Sequence, residues 1–364
     1  MKKSIDLSKF QDKKICNYFL SEIKKLVNEN LQTITIMEVC GTHTMAIFRS
    51  GIRAVLPQSI KLISGPGCPV CVTSQEYIDK AIAYSRAGFI ITTFGDMFRV
   101  PGSDSSLEKE SSKGADVRIV YSPYESIKIA KDNPDKRVIF LSVGFETTTP
   151  TIALTLLEAK KIGLKNWFLL CGNKLIPPAM KILAESPELK IDGFICPGHV
   201  STVIGSKPYR FISEKYGIPC VITGFEPTDI FEGIFMLVKQ LAEKRASVEV
   251  QYRRSVKPEG NPNAVKVMFD VFGIVDSNWR GIGIIPKSGL KLKKEYSEFD
   301  IEKVFDVEFE TKKEPKGCIC GEILKGIKNP TECLLFRKVC NPENPVGACM
   351  VSSEGTCSAY YKYM

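Results

Sequence analysis

Short apolar runs recur along the chain from about residue 33 to about residue 245, and each stops at a loop rich in Gly, Pro or Thr. Segments 33–37, 60–64, 88–93, 117–121, 138–143, 167–170, 193–196 and 220–223 hold the β-branched and aromatic residues that suit a strand. Between them, segments 74–86, 149–161 and 227–244 place apolar residues at helical spacing. Strand–helix alternation of this kind predicts an α/β fold built on parallel sheets. Such sheets bind ligands at the carboxyl ends of their strands. The loops after 33–37 and 60–64 are therefore the first places to look for chemistry.

A weak internal repeat predicts two lobes. Ser64-Gly65-Pro66-Gly67-Cys68 is followed by Phe94-Gly95-Asp96-Met97, and Ile195-Cys196-Pro197-Gly198-His199 by Gly224-Phe225-Glu226-Pro227. From Lys287 to Lys316 the chain turns dense in Lys and Glu, as a connector or exposed hairpin would be. The expected architecture is two parallel-sheet α/β lobes facing a cleft, over residues 1–120 and 121–285. Residues 286–364 would form a connector and a small C-terminal Cys-rich iron–sulfur domain.

Length and composition narrow the function classes. With 364 residues, 44% of them hydrophobic and 25% charged, the chain can bury a large core without disulfide staples. No apolar run approaches the roughly 20 residues needed to span a bilayer, and the N-terminus lacks the apolar core of a secretory signal. A cytoplasmic protein with no membrane role is expected. The net charge of +9 is spread among Asp and Glu without an aromatic-laced basic stripe, so nucleic acid is not an expected partner.

Cysteine placement is the most telling feature of the chain. The chain has 13 cysteines, and six of them fall in its last 47 residues: Cys318, Cys320, Cys333, Cys340, Cys349 and Cys357. In a reducing compartment such clusters point to metal or catalysis rather than to structural disulfides. Cys318, Cys333, Cys340 and Cys357 are separated by 14, 6 and 16 residues, wider than zinc pairs commonly use. The spacing favours an iron–sulfur cluster, and soft thiolates leave zinc open as well.

The front loops carry a second set. Cys68-Pro69-Val70-Cys71 is a dithiol motif at a strand end, where a helix N-terminus would stabilise a thiolate. Cys40-Gly41-Thr42-His43 adds a third thiol with one of only two histidines, able to bind metal or act as a nucleophile–base pair. The other histidine, His199, also follows a predicted strand. Asp96 and Arg99 are expected to aim into the cleft, and Cys16 and Cys220 to be core residues.

Together these stretches resemble the HypD family, maturation factors of NiFe hydrogenases. The resemblance rests on Glu38–Thr44, Ser64–Cys71, 94–103, 177–180 and 349–357, and covers nearly the whole chain. It implies a 4Fe-4S cluster on Cys318, Cys333, Cys340 and Cys357. It also implies a redox-active pair at Cys68 and Cys71, and iron held at Cys40 with His43 close by. It marks Glu354 as well. It further implies two partners, a HypC-like small chaperone and a HypE-like cyanide donor. The transient product would be an Fe(CN)2CO unit destined for the hydrogenase large subunit. Where the family usually shows a His in the loop 171–178, this chain has Asn173 and Lys174. A ferredoxin-dependent protein disulfide reductase is the alternative that also joins a cluster to a dithiol.

Overall fold

The computed structural model describes residues 11–30, 33–312 and 315–364. All eight expected strands form: β1 (Ile34–Glu38), β2 (Ile60–Ser64), β3 (Ile90–Thr93), β4 (Val117–Ile119), β5 (Val138–Ser142), β6 (Trp167–Cys171), β7 (Gly193–Cys196) and β8 (Cys220–Ile222). Three more follow, β9 (Val248–Val250), β10 (Phe272–Trp279) and β11 (Gly283–Leu292). The three expected helices appear as Gln75–Arg86, Thr149–Lys161 and Pro227–Ala242.

Two parallel sheets result. One has five strands in the order β2-β1-β7-β8-β9, the other four in the order β4-β3-β5-β6. Strands β1, β5, β6, β7 and β8 are almost wholly buried, as expected for parallel sheets covered on both faces. The remaining pair, β10 and β11, is an antiparallel hairpin.

The sheets do not divide where the sequence pattern suggests. A boundary near residue 120 would put β3 and β4 with β1 and β2, but they share a sheet with β5 and β6, joined through the β3–β5 pairing. Conversely, β7 adds to β1 and completes the first sheet. The internal repeat does not mark one unit per sheet either. Its first pair of segments follows β2 and β3, in different sheets, and its second pair follows β7 and β8, in the same sheet. Strand partners are chosen over long sequence separations, which local patterns do not report.

The boundary near residue 285 falls inside β11. The Lys/Glu-rich stretch is partly hairpin and partly the short helical turns Lys294–Phe299 and Ile301–Val304. The Cys-rich tail is not packed apart from the rest. Cys320, Leu324, Ala348 and Cys349 belong to the same buried cluster as Cys68, Cys71, Tyr77 and Trp279. Among the described residues no helix is long and apolar enough to cross a membrane.

Candidate functional site

β1 and β2 are neighbours in register, Glu38 opposite Ser64, so their carboxyl ends deliver the two cysteine loops side by side. The Gly41 amide donates to Gly67 O at 3.1 Å. A Cβ at Gly67 would collide with the backbone of Val39 and Cys40, so only glycine permits this approach.

Cys40 is the N-cap of the helix Gly41–Arg49 and is buried. The amides of Thr42 and His43 face its thiol and favour the thiolate. Burial, aided by the Glu354 carboxylate, outweighs them and pushes Cys40 up to about 11. The helix N-terminus expected for the dithiol is therefore found at Cys40. The helix after Cys71 starts only at Gln75, capped by the Ser74 hydroxyl.

Cys68 and Cys71 are joined as a disulfide, and both are buried. The Cys71 amide lies 3.1 Å from the Cys68 sulfur, a donor that would stabilise a thiolate there. On its other side, Cys71 Sγ lies 4.0 Å from Ala348 O in the tail.

His43 is fully buried. Its Nε2 lies 2.9 Å from Gly224 O and 2.8 Å from Thr223 Oγ1. A carbonyl partner assigns the proton to Nε2 and leaves Nδ1 as the lone-pair nitrogen. Nδ1 has no hydrogen-bond partner among the described residues. Burial lowers the His43 pKa to about 4, so the ring is neutral at physiological pH. Phe225 stacks between the two histidines, 4.6 Å from His43 and 4.0 Å from His199, which is exposed.

Glu354 reaches the same place from the tail. It accepts from Thr42 Oγ1 at 2.5 Å, and a Cβ on Gly41 would collide with its side chain. Its amide donates to Ser352 Oγ at 3.2 Å, and that hydroxyl donates to Asp96 Oδ2 at 2.7 Å. Asp96 thus joins the site through the tail. Arg99 does not: it donates to Pro342 O at 2.9 Å and pairs with Glu108.

All six tail cysteines line one cavity, together with Ile323, Leu335, Phe336, Gly347 and Met350. Cys320 and Cys349 are buried on its inner wall with their sulfurs 3.2 Å apart. Cys318, Cys333 and Cys357 are more open. Among the described residues no three Cys, His, Asp or Glu side chains stand close enough to hold a single metal ion.

Lys174 also has a clear place. It is buried, and its Nζ donates to Ser277 Oγ and Asn278 O at 2.8 Å each, pinning β10. Asn173 accepts from the Ser142 hydroxyl. These side chains serve the loop's packing. Cys220 is buried in β8, whereas Cys16 is half-buried beside a surface groove.

Phe225, Thr42 and the contact between Cys320 and Cys349 are not foreseen from the sequence. The segment bearing Phe225 is visible only as a repeat. The pairing of Cys320 with Cys349 spans 29 positions and leaves no local signal.

Comparison with known proteins gives the family. The family model for HypD, described as "Hydrogenase formation hypA family", matches residues 14–364. A putative hydrogenase expression/formation protein of Methanocaldococcus jannaschii is 47% identical over 97% of this chain and 98% of its own length. The hydrogenase maturation factor HypD2 of Bradyrhizobium diazoefficiens is 45% identical over 97% and 95%. The hydrogenase maturation factor HypD of Escherichia coli is 45% identical over 91% and 89%. Family match and full-length relatives place the cysteine loops and tail in one lineage: the chain belongs to the HypD family of hydrogenase maturation factors.

Proposed function

We propose that this chain is a cytoplasmic redox scaffold on which an iron unit bearing cyanide and carbon monoxide is assembled for a hydrogenase large subunit. The observation that carries the reading is convergence. Cys40, the Cys68–Cys71 pair and the six-thiol cavity are joined by the Gly41–Gly67 hydrogen bond and by the contact of Cys71 with Ala348.

The donor set suits a cluster better than a single ion. Six soft thiols surround one largely apolar cavity, and no tight mononuclear set exists among the described residues. Cys318, Cys333, Cys340 and Cys357 would hold a 4Fe-4S cluster, the ligand set the family resemblance implies. A cluster there would supply single electrons. Cys320 and Cys349 line that cavity and share one buried cluster with Cys71.

Iron, as cargo, would be held by the Cys40 sulfur and shared with a HypC-like chaperone, with the unpartnered His43 Nδ1 as the further donor that the family resemblance suggests. A HypE-like donor would present cyanide as a thiocyanate on one of its own cysteines. The Cys68 thiolate, steadied by the Cys71 amide, attacks the donor's sulfur. The S–C bond breaks, cyanide leaves with the electron pair and is taken by the iron. The Cys71 thiol then resolves the mixed disulfide: the donor's thiol is released and Cys68–Cys71 becomes a disulfide. Two electrons and two protons restore the dithiol.

The test is anaerobic co-expression with the small chaperone, followed by iron analysis and infrared spectroscopy in the cyanide and carbonyl stretching region. Bands that vanish in Cys40→Ala support the scaffold. Cluster iron with no such bands would sink it and return the protein to general disulfide reduction.

A further inference from the structure

The three cysteine-bearing elements share one unassigned residue. Arg53, in the short helix Ile52–Val55, sends Nη1 to Leu62 O at 2.6 Å and Nη2 to Glu38 Oε1 at 2.8 Å. Glu38 is fully buried at the end of β1, two residues before Cys40. The same carboxylate oxygen accepts from Ser64 Oγ at 2.8 Å, at the end of β2 where the Cys68/Cys71 loop begins. The guanidinium carbon lies 4.6 Å from the Phe48 ring centroid and 5.8 Å from that of Tyr360, within cation–π range of both. Phe48 belongs to the helix that Cys40 caps, and Tyr360 to the terminal helix Thr356–Tyr363 that carries Cys357. The two rings meet edge to face at 4.7 Å.

We propose that Arg53 is a positioning residue. Its planar fork and its cation–π contacts lock the roots of the Cys40 loop, the Cys68/Cys71 loop and the Cys357 helix into one frame. Bulk alone does not explain the residue. A buried ion pair is seldom better for stability than an apolar pair of the same volume, so retaining one here points to geometry. Arginine alone can bond two strands with a rigid fork while its charge lies against two rings. Lysine keeps the charge and loses the fork. The frame holds whatever cargo Cys40 carries.

The test is site-resolved alkylation of the native protein with iodoacetamide, quantified cysteine by cysteine by mass spectrometry. Two variants are used. Arg53→Lys keeps Glu38 paired with a cation. Glu38→Gln/Arg53→Met removes both charges and keeps the volume. In both, alkylation of Cys40 is expected to rise about tenfold or more, as local opening replaces a locked frame. Reduction of Cys68–Cys71 by dithiothreitol should accelerate in parallel. Cys171, buried at the end of β6 in the other sheet, serves as the control and should keep its rate. Unchanged Cys40 rates in folded variants overturn the proposal. So does a uniform rise at all buried cysteines, which would mean general loosening. Failure of both variants to fold would make the pair a stability element and overturn it equally.

Discussion

Thr42 donates its hydroxyl to the Glu354 carboxylate at 2.5 Å, across 312 positions of sequence. This contact brings an acid from the tail against the helix that Cys40 caps. Glu354 is, after burial, the second cause of the high Cys40 pKa of about 11. Glu354→Gln keeps the acceptor for Thr42 and removes the charge. The pH midpoint of Cys40 alkylation should then fall by up to about one unit, with burial keeping it above the ordinary thiol value. An unmoved midpoint would show that the carboxylate does not act on Cys40.

Gly67 is held against the Cys40 backbone, and any side chain there meets Cys40 N and Val39 C rather than a movable group. Backbone cannot retreat cheaply in a close-packed interior. Gly67→Ala should cost on the order of 3 kcal/mol and separate the two cysteine loops. Thermal unfolding by circular dichroism measures the first effect. A wild-type melting temperature would refute the close approach.

The tail cysteines should sort into two groups on substitution by alanine. Cys318, Cys333, Cys340 and Cys357 are expected to lower the iron content of anaerobically purified protein. Cys320→Ala and Cys349→Ala should retain the iron, because those two sulfurs face each other on the inner wall. They should instead slow the re-reduction of Cys68–Cys71, followed by thiol labelling in the presence of an electron donor. Iron loss in Cys349→Ala comparable with that in Cys333→Ala would reassign the ligands.

These outcomes separate what local sequence carries from what it does not. Ile34 to Glu38 and Ile60 to Ser64 are strands by composition alone, and the loops after them are short and glycine-bearing. Composition and spacing therefore suffice to place the Cys40 and Cys68/Cys71 loops at strand ends. That they lie together follows from β1 pairing with β2, a local pairing that the alternation suggests. Nothing local tells β7 to join β1, or Cys349 to lie under the same core as Cys71. The tail looks like a separate unit in sequence when its cysteines are weighed only as ligands, whereas Cys320 and Cys349 are also buried packing residues. Arg99, placed by its motif near the cleft, instead fastens the tail at Pro342.

Glu146 offers a pH test away from the cysteines. It is buried in the loop after β5, with Oε1 accepting from the Ile176 amide at 3.0 Å and Oε2 unpartnered among the described residues. Burial raises its pKa from 4.5 to about 7. A carboxyl raised in this way keeps, when folded, a proton that the unfolded chain has already released. Its contribution is therefore fully present below about pH 4.5 and is lost as pH climbs to about 7. The loss amounts to roughly 3 kcal/mol. Glu146→Gln cannot ionise and escapes that loss. Urea unfolding should show the variant close to wild type at about pH 4.5 and more stable at about pH 8, by up to roughly the same amount. Other titrating groups cancel in the comparison, because both proteins carry them. An equal stability difference at the two pH values would mean that Glu146 does not change its protonation on folding.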